Sequence, residues 1–401
     1  MDIQDITDRL GFPLKPSQRE VAQHALDMHQ RGTQVRLCLY HRTGEGKTIA
    51  SLVAVAQSDA REALVLAPPI THPKWIETAE KLGITVTPIS HAKFRQKDYK
   101  LSRTKAVIVD EFHLLGGHTG NGWKKMDRLA RSLKAAMVIC SATPNYNDAE
   151  RVYCVMHVLA PDDVKGGYLQ FLYQNCETTV NPFGSVPLVD GFRDGRTAEE
   201  FLADLPYVHY VEDEAIKQVK IANIPADVPD GAVPPEFEEY GFDPRRTRIV
   251  SSQMEERHRR KRYLMLGPGG EFRSRLYDQI STLVGSVAGP VLLYCDSSEL
   301  ARALARALSQ HAVQYVLVTG SSSPKAKRAA VQLFLDGDAE VMVGTATMAT
   351  GLDGVDKVCD TLLIVDDTDD DAKRRQLIGR ILPRGTDTDV SKKQVWRLVY
   401  S

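Results

Sequence analysis

Short, largely apolar runs alternate with amphipathic stretches early in the chain: Val35–Tyr40, Ala63–Ala67, Ile84–Thr87, Ala106–Asp110 and Met137–Cys140. Runs of this length, apolar at most positions rather than at every second one, predict parallel strands buried on both faces and separated by helices. The pattern lapses and then resumes with Val291–Cys295, Tyr315–Val318, Glu340–Gly344, Thr361–Asp366 and Val395–Tyr400. Two such blocks predict an α/β fold of two parallel-sheet lobes in tandem, with an irregular or helical insertion between them. The boundaries expected are residues 1–160 for the first lobe, 161–285 for the insertion and 286–401 for the second lobe. The middle segment has a different texture, because eight of the 20 prolines fall between Pro182 and Pro244 and no period is sustained there. It ends in a basic helix candidate, Arg245–Arg262, with eight Lys or Arg and two Glu.

Length agrees with that division, since 401 residues at about 150 per domain allow two to three domains. Lys plus Arg number 51 against 52 Asp plus Glu, a formal charge of −1, so any basic binding face has to be local. A hydrophobic share of 43% and a charged share of 26% are ordinary globular usage and argue against wholesale disorder. No apolar run approaches the roughly 18 residues of a membrane span, and the early acids of MDIQDITDRLGF are unlike a secretory signal. A cytoplasmic protein, in a bacterial or phage-infected cell, is expected. The six cysteines include no C-x-x-C pair, and three end apolar runs, which predicts buried reduced thiols rather than zinc ligands or disulfides.

Directly after the first strand comes HRTGEGKT, His41–Thr48, followed by an apolar helical stretch. Gly44 and Gly46 allow backbone N–H groups to turn inward around phosphate oxygens, and the next helix offers its N-terminus. In such a loop Thr43, Gly44, Glu45 and Gly46 line the phosphates, Lys47 reaches the β/γ-phosphates and Thr48 ligates Mg²⁺. The consensus G-x-x-x-x-G-K-[ST] has its first glycine where this chain has His41. VIVDEFH then puts Asp110 at the carboxyl end of a buried strand, the edge where open α/β sheets bind ligands. One carboxylate there holds the metal, the role expected of Asp110, and its neighbour Glu111 orients or deprotonates the attacking water. His113 either couples that site to the second lobe or caps a turn.

The sequence at this point resembles a superfamily 2 DExH-type helicase or translocase, which implies that the two parallel-sheet lobes are RecA-like. HRTGEGKT and DEFH resemble motifs I and II; PLKPSQ, Pro13–Gln18, resembles the segment whose glutamine recognises adenine, which makes Gln18 the adenine reader. LAPPITHPKW, Leu66–Trp75, resembles motif Ia, and SATP resembles motif III, in which Ser141 and Thr143 couple hydrolysis to lobe movement. In the second lobe LLYCDSS resembles motif IV. GTATMATGLDG resembles motif V, with Thr345 and Thr347 on a phosphate backbone and Asp353 towards the ribose. QLIGRILPRG resembles motif VI, which implies coupling by Gln376 and arginines on the transferring phosphoryl group. The family pattern has its second arginine at position 383, which is Pro383 here, so Arg380 is one candidate finger and Arg384, one place later, the other. Trp75, SSSPKAKR and YVEDEAIKQ lean towards the Swi/Snf-like remodelling branch, and the compact chain towards a small phage or bacterial form.

The resemblance implies ATP and Mg²⁺ as cofactors, with hydrolysis in a cleft between lobes, and a nucleic-acid strand held through its phosphates. The contacts expected are Lys74, His91, Lys93, Arg95, Lys325, Lys327 and the Arg245–Arg262 run. Aromatic residues do not interleave with that run, which favours backbone tracking over base stacking. The acidic stretch Asp366–Asp371 would repel phosphate and is expected as a solvated loop off the track. The resulting expectation is a monomeric DNA-dependent ATPase that moves along, unwinds or remodels DNA. A nucleotide-gated clamp without processive motion and an RNA helicase are the alternatives, and a P-loop metabolic phosphotransferase fits the second-lobe motifs poorly.

Overall fold

The computed structural model describes residues 2–41, 44–96, 105–133, 135–141, 149–181, 185–211, 216, 218–227, 270–349, 354–368, 371–383 and 389–399. The chain divides into two compact units, Met1–Asp213 and Glu214–Ser401.

The first unit is built on a parallel sheet of six strands. These are β1 (Val35–His41), β2 (Glu62–Leu66), β3 (Thr85–Ile89), β4 (Lys105–Asp110), β5 (Ala136–Ser141) and a later strand, Val208–Val211. Between Ala149 and that last strand come α7 (Ala149–Leu159), α8 (Gly167–Asn175), an antiparallel hairpin of β6 (Cys176–Thr179) with β7 (Leu188–Phe192), and α9 (Ala198–Ala203). The Val208–Val211 strand is therefore β8, and the spatial order is β3-β2-β4-β5-β1-β8. Residues of β1 alternate between two cores: Cys38 and Tyr40 join a cluster with Val107, Val109 and Tyr153, while Leu37 and Leu39 join one with Ile108, Trp75 and Val53. Both faces of the strand are thus withdrawn from water, which explains its unbroken apolar character. Helices α2 (Pro16–Gln30), α3 (Lys47–Ala56) and α4 (His72–Lys81) belong to the second of those cores.

The second unit repeats the plan, with β9 (Ile221–Pro225), β10 (Val291–Cys295), β11 (Tyr315–Val318), β12 (Val341–Gly344), β13 (Thr361–Asp366) and β14 (Gln394–Val399) in the parallel order β11-β12-β10-β13-β14-β9. Apolar clusters again cover both faces. All ten apolar runs read from the sequence are strands, and the two parallel-sheet lobes are as expected. All six cysteines are buried, and none is in a disulfide.

The middle segment differs from the expectation. Residues 161–285 are not one insertion: β8 pairs with β1 in the first sheet, β9 with β14 in the second, and the helix Gly270–Gly285 packs in the second unit through Leu276, Ile280 and Val284. Edge strands need only one partner and one apolar face, so VHYV and IANIP carry none of the unbroken apolar signal of the central strands. The basic run Arg245–Arg262 lies outside the described residues.

Candidate active site

The phosphate loop leaves β1 at His41 and enters α3 at Lys47. Gly44 and Gly46 have φ of 86° and 80°, the left-handed region that a side chain penalises, and Gly46 caps α3 from that conformation. The first turn of α2 holds this loop. Lys15 Nζ donates to the Gly44 carbonyl at 3.1 Å and approaches the Glu45 carboxylate at 3.5 Å. Ser17 Oγ donates to Glu45 Oε1 at 2.8 Å, and Gln18 Nε2 to the Glu45 carbonyl at 3.2 Å. Gln18 is buried, and its Oε1 accepts from the Lys15 N–H at 3.1 Å, so both ends of its amide bond within the protein. Lys47 and Thr48, at the start of α3, remain partly exposed, and Lys47 Nζ donates to the His41 carbonyl at 3.1 Å.

Asp110 ends β4 next to Cys140 of β5 in the register of the sheet. Its Oδ1 accepts from the Glu111 N–H at 3.1 Å and from Cys140 Sγ at 3.5 Å. Burial raises the Asp110 pKa, the adjacent Glu111 carboxylate raises it further, and the Lys47 ammonium opposes both. Cys140 is a buried thiol that also accepts from Ser51 Oγ at 3.7 Å, and its pKa lies well above the usual thiol value, so it acts as a neutral donor. Glu111 is buried and has φ 50°, an uncommon left-handed conformation for a residue with a side chain. His113 Nδ1 lies 3.4 Å from Glu111 Oε2 and 3.3 Å from Ser141 Oγ at the end of β5. His113 thus stands between Glu111 and Ser141 within the first unit.

Local composition does not mark the supports beneath these groups. Lys15, Ser17 and Cys140 are ordinary residues until the fold sets them against the loop or the carboxylate. His91, expected on the nucleic-acid path, is instead buried, with Nε2 2.8 Å from the Asp110 carbonyl, and burial lowers its pKa to about 4. It braces the end of β4 and does not face solvent. Trp75 is fully buried in the first unit's core. Lys74, Lys93 and Arg95 are exposed, and Arg95 Nη1 donates to the Leu114 carbonyl at 2.8 Å.

In the second unit Arg380 and Gln376 are buried at and just after the helix Asp371–Ile378, so Arg380 is no surface arginine. Thr345 is buried after β12, and Thr347 Oγ1 lies 3.5 Å from the Val318 carbonyl. Lys325 is exposed; Lys327 is partly buried, which lowers its pKa. The described start of the acidic stretch, residues 366–368, is not the solvated loop expected. Asp366 and Asp367 are buried, Asp366 Oδ2 accepts from the Ser297 N–H at 3.2 Å, and Asp367 pairs with Arg374 at 3.0 Å and Arg397 at 3.3 Å. Four predicted site residues, Thr43, Thr143, Asp353 and Arg384, lie outside the described residues. Among the described residues no cluster of three or more His, Cys, Asp or Glu is set to hold a metal, and no helix is long and apolar enough to cross a membrane.

Comparison with known proteins gives these sites a context. Residues 275–384 match the helicase conserved C-terminal domain. The structure of S. cerevisiae Dbp5 bound to RNA and ADP BeF3 superposes with a TM-score of 0.54, over 98% of this chain and 89% of that one, at 14% identity. A single-substitution variant of Dbp5 with the same ligands gives the same values. The chain has the superfamily 2 helicase fold. The match at residues 275–384 and the two parallel-sheet units thus agree on that architecture. A protein of Acanthamoeba polyphaga mimivirus, named as an ATP-dependent RNA helicase, is 25% identical over 131 residues, a stretch that spans 31% of this chain and 29% of that protein. These likenesses correct the expected partner and output. The similar proteins are described with RNA, so the reading as a DNA-binding translocase is withdrawn. They likewise lend nothing to a Swi/Snf-like branch or to a phage or bacterial form; Trp75, one of the features behind that lean, is a core residue.

Proposed function

We propose that this chain is an ATP-dependent RNA helicase that hydrolyses the nucleotide at the Gly44–Thr48 loop and the Asp110–Glu111 pair. The observation that carries the reading is the gathering of Lys47, Asp110 and Glu111 at the carboxyl edge of one parallel sheet, with two buried carboxylates beside a cation. Water-excluded carboxylates next to each other are costly unless positive charge compensates them. Thr48 and Asp110 are the residues that would hold Mg²⁺, which supplies that charge and polarises phosphoryl oxygens.

The chain's own residues then divide the work. The backbone N–H groups of the loop and the start of α3 bind phosphate oxygens, and Lys47 exchanges the His41 carbonyl for phosphate. Gln18 serves adenine from the helix turn that also fixes Glu45. Glu111 holds the attacking water and accepts its proton, and His113 links that carboxylate to Ser141. Arg380 is the arginine whose motif suits it to charge on a transferring phosphoryl group. RNA as the nucleic acid follows from the likeness to proteins described with RNA. Lys74, Lys93, Arg95 and Lys325 are the exposed cations suited to its phosphates.

The test is the ATPase rate with single-stranded RNA, single-stranded DNA and duplex DNA at equal nucleotide concentration, followed by strand separation of an RNA duplex. RNA is expected to stimulate most, and Lys47→Ala to remove the response. Equal stimulation by all three nucleic acids, or none, refutes the RNA assignment.

A further inference from the structure

His41, the residue in place of the motif's first glycine, is fully buried, and its Nε2 lies 2.8 Å from His209 Nδ1 on β8. The other nitrogen of His209, Nε2, lies 3.0 Å from Glu20 Oε2 on α2. The order of donors follows from the acceptor at the end of the chain. A carboxylate only accepts, so His209 Nε2 carries the proton towards Glu20. In the tautomer with that proton on Nε2, His209 Nδ1 carries a lone pair, and His41 Nε2–H donates to it. His41 Nδ1 is left as a buried acceptor with no partner. Burial, aided by His209, Lys47 and Lys15, lowers the His41 pKa to about 2, which agrees with a neutral ring.

This relay ends at both sides of the phosphate loop. The carbonyl of His41 is the seat of Lys47 Nζ. Glu20 lies two residues after Gln18 on α2, and Lys15, Ser17 and Gln18 hold Gly44 and Glu45. One helix turn thus grips the loop at its tip directly and at its root through two imidazoles.

We infer that His209 is a positioning residue for nucleotide binding: the Glu20–His209–His41 relay fixes the root of the phosphate loop so that its N–H groups and Lys47 are preorganised for phosphate. The inference rests on the reading of this loop as the adenine-nucleotide site. Removing His209 strands a buried donor on His41 and frees the loop root. A lost bond of that kind corresponds to roughly a five- to hundredfold change in an equilibrium constant.

The experiment measures affinity for a fluorescent N-methylanthraniloyl-ADP, and kcat and KM for ATP, in the full chain and in His209→Ala, His209→Asn and Glu20→Ala. His209→Ala is expected to weaken nucleotide binding about tenfold or more and to raise KM more than it lowers kcat, because the chemical groups at Asp110 and Glu111 are untouched. Asparagine keeps an acceptor near the Nδ1 position and is expected to recover affinity to within about threefold of the parent. Glu20 is largely exposed, so Glu20→Ala folds normally and is expected to weaken binding about threefold. If His209→Ala fails to fold, the asparagine and Glu20 variants decide. Parent-like affinity in Glu20→Ala, or an asparagine variant no better than alanine, overturns the relay while the site stands. A parent protein that binds no adenine nucleotide overturns the site and the relay with it.

Discussion

Gln18 Nε2 occupies the space beside Gly46 so closely that a Cβ on residue 46 would stand 2.4 Å from it. Helix α2 and the Gly44–Thr48 loop are therefore in contact through a glycine that also needs φ of 80°. Gly46→Ala is expected to combine a steric conflict with left-handed strain of about 1–2 kcal/mol and to cut nucleotide affinity at least tenfold. Gln18→Ala in the same chain removes the conflict but also the bond to Glu45 and the adenine contact proposed for Gln18, so the double variant is expected to bind no better than Gly46→Ala. Equilibrium nucleotide binding of the single and double variants checks this, and an unaltered Gly46→Ala would contradict it.

Lys47→Ala and Glu111→Gln are expected to abolish turnover by different routes. The first loses phosphate binding. The second keeps binding and loses proton acceptance, an effect of about 10² to 10⁴ in kcat. Arg380→Ala should lose about 10³ to 10⁵ in kcat if it meets the transferring phosphoryl group. Steady-state ATPase with parallel nucleotide binding separates the three. Near-parent turnover in Glu111→Gln would remove Glu111 from the chemistry.

His41 gives the protein an acid-sensitive point. The unfolded chain takes up a proton near pH 6.5, whereas the buried folded ring does so only at about 2. Below 6.5 the unfolded state binds more protons, so this contribution to stability is complete above 6.5 and is lost as pH falls towards 2. At pH 5 the loss amounts to about 2 kcal/mol. Thermal unfolding between pH 7.5 and 5 is expected to fall less steeply in His41→Gln than in the parent. Parallel curves would count against a neutral buried His41.

In the second unit, Asp367 serves two guanidinium groups, Arg374 and Arg397, from a buried position at the end of β13. Asp367→Ala leaves both cations without that carboxylate and is expected to cost about 3 kcal/mol of stability. Chemical denaturation of the full chain should show this as an earlier transition of the second unit. An unchanged transition would make the pair a surface-like contact of little worth.

The central strands and the chemistry-bearing motifs were legible because each is local. Complete burial on both faces writes an apolar run into β1, β4, β10 and β13, and a phosphate loop needs its glycines and lysine adjacent. Ser141 and Arg380 likewise lie in short local patterns. The edge strands β8 and β9 were not, because a strand with one partner and one covered face needs no special composition. Nor were the supports. His91 looked like a surface cation and became a brace for Asp110, and Asp366–Asp367 looked like a solvated loop and became a buried ion-pair centre.

By itself the sequence determined two parallel-sheet lobes, a phosphate loop before α3 and a carboxylate pair at the end of β4, since strand burial and motif spacing are properties of neighbouring residues. Only the tertiary structure decided what holds those groups in place. Residues as far apart as Glu20, His41 and His209 form one hydrogen-bonded chain because β8 adds to the sheet beside β1. Hydrogen-bond partners of buried polar groups are set by the fold and leave no trace in local composition.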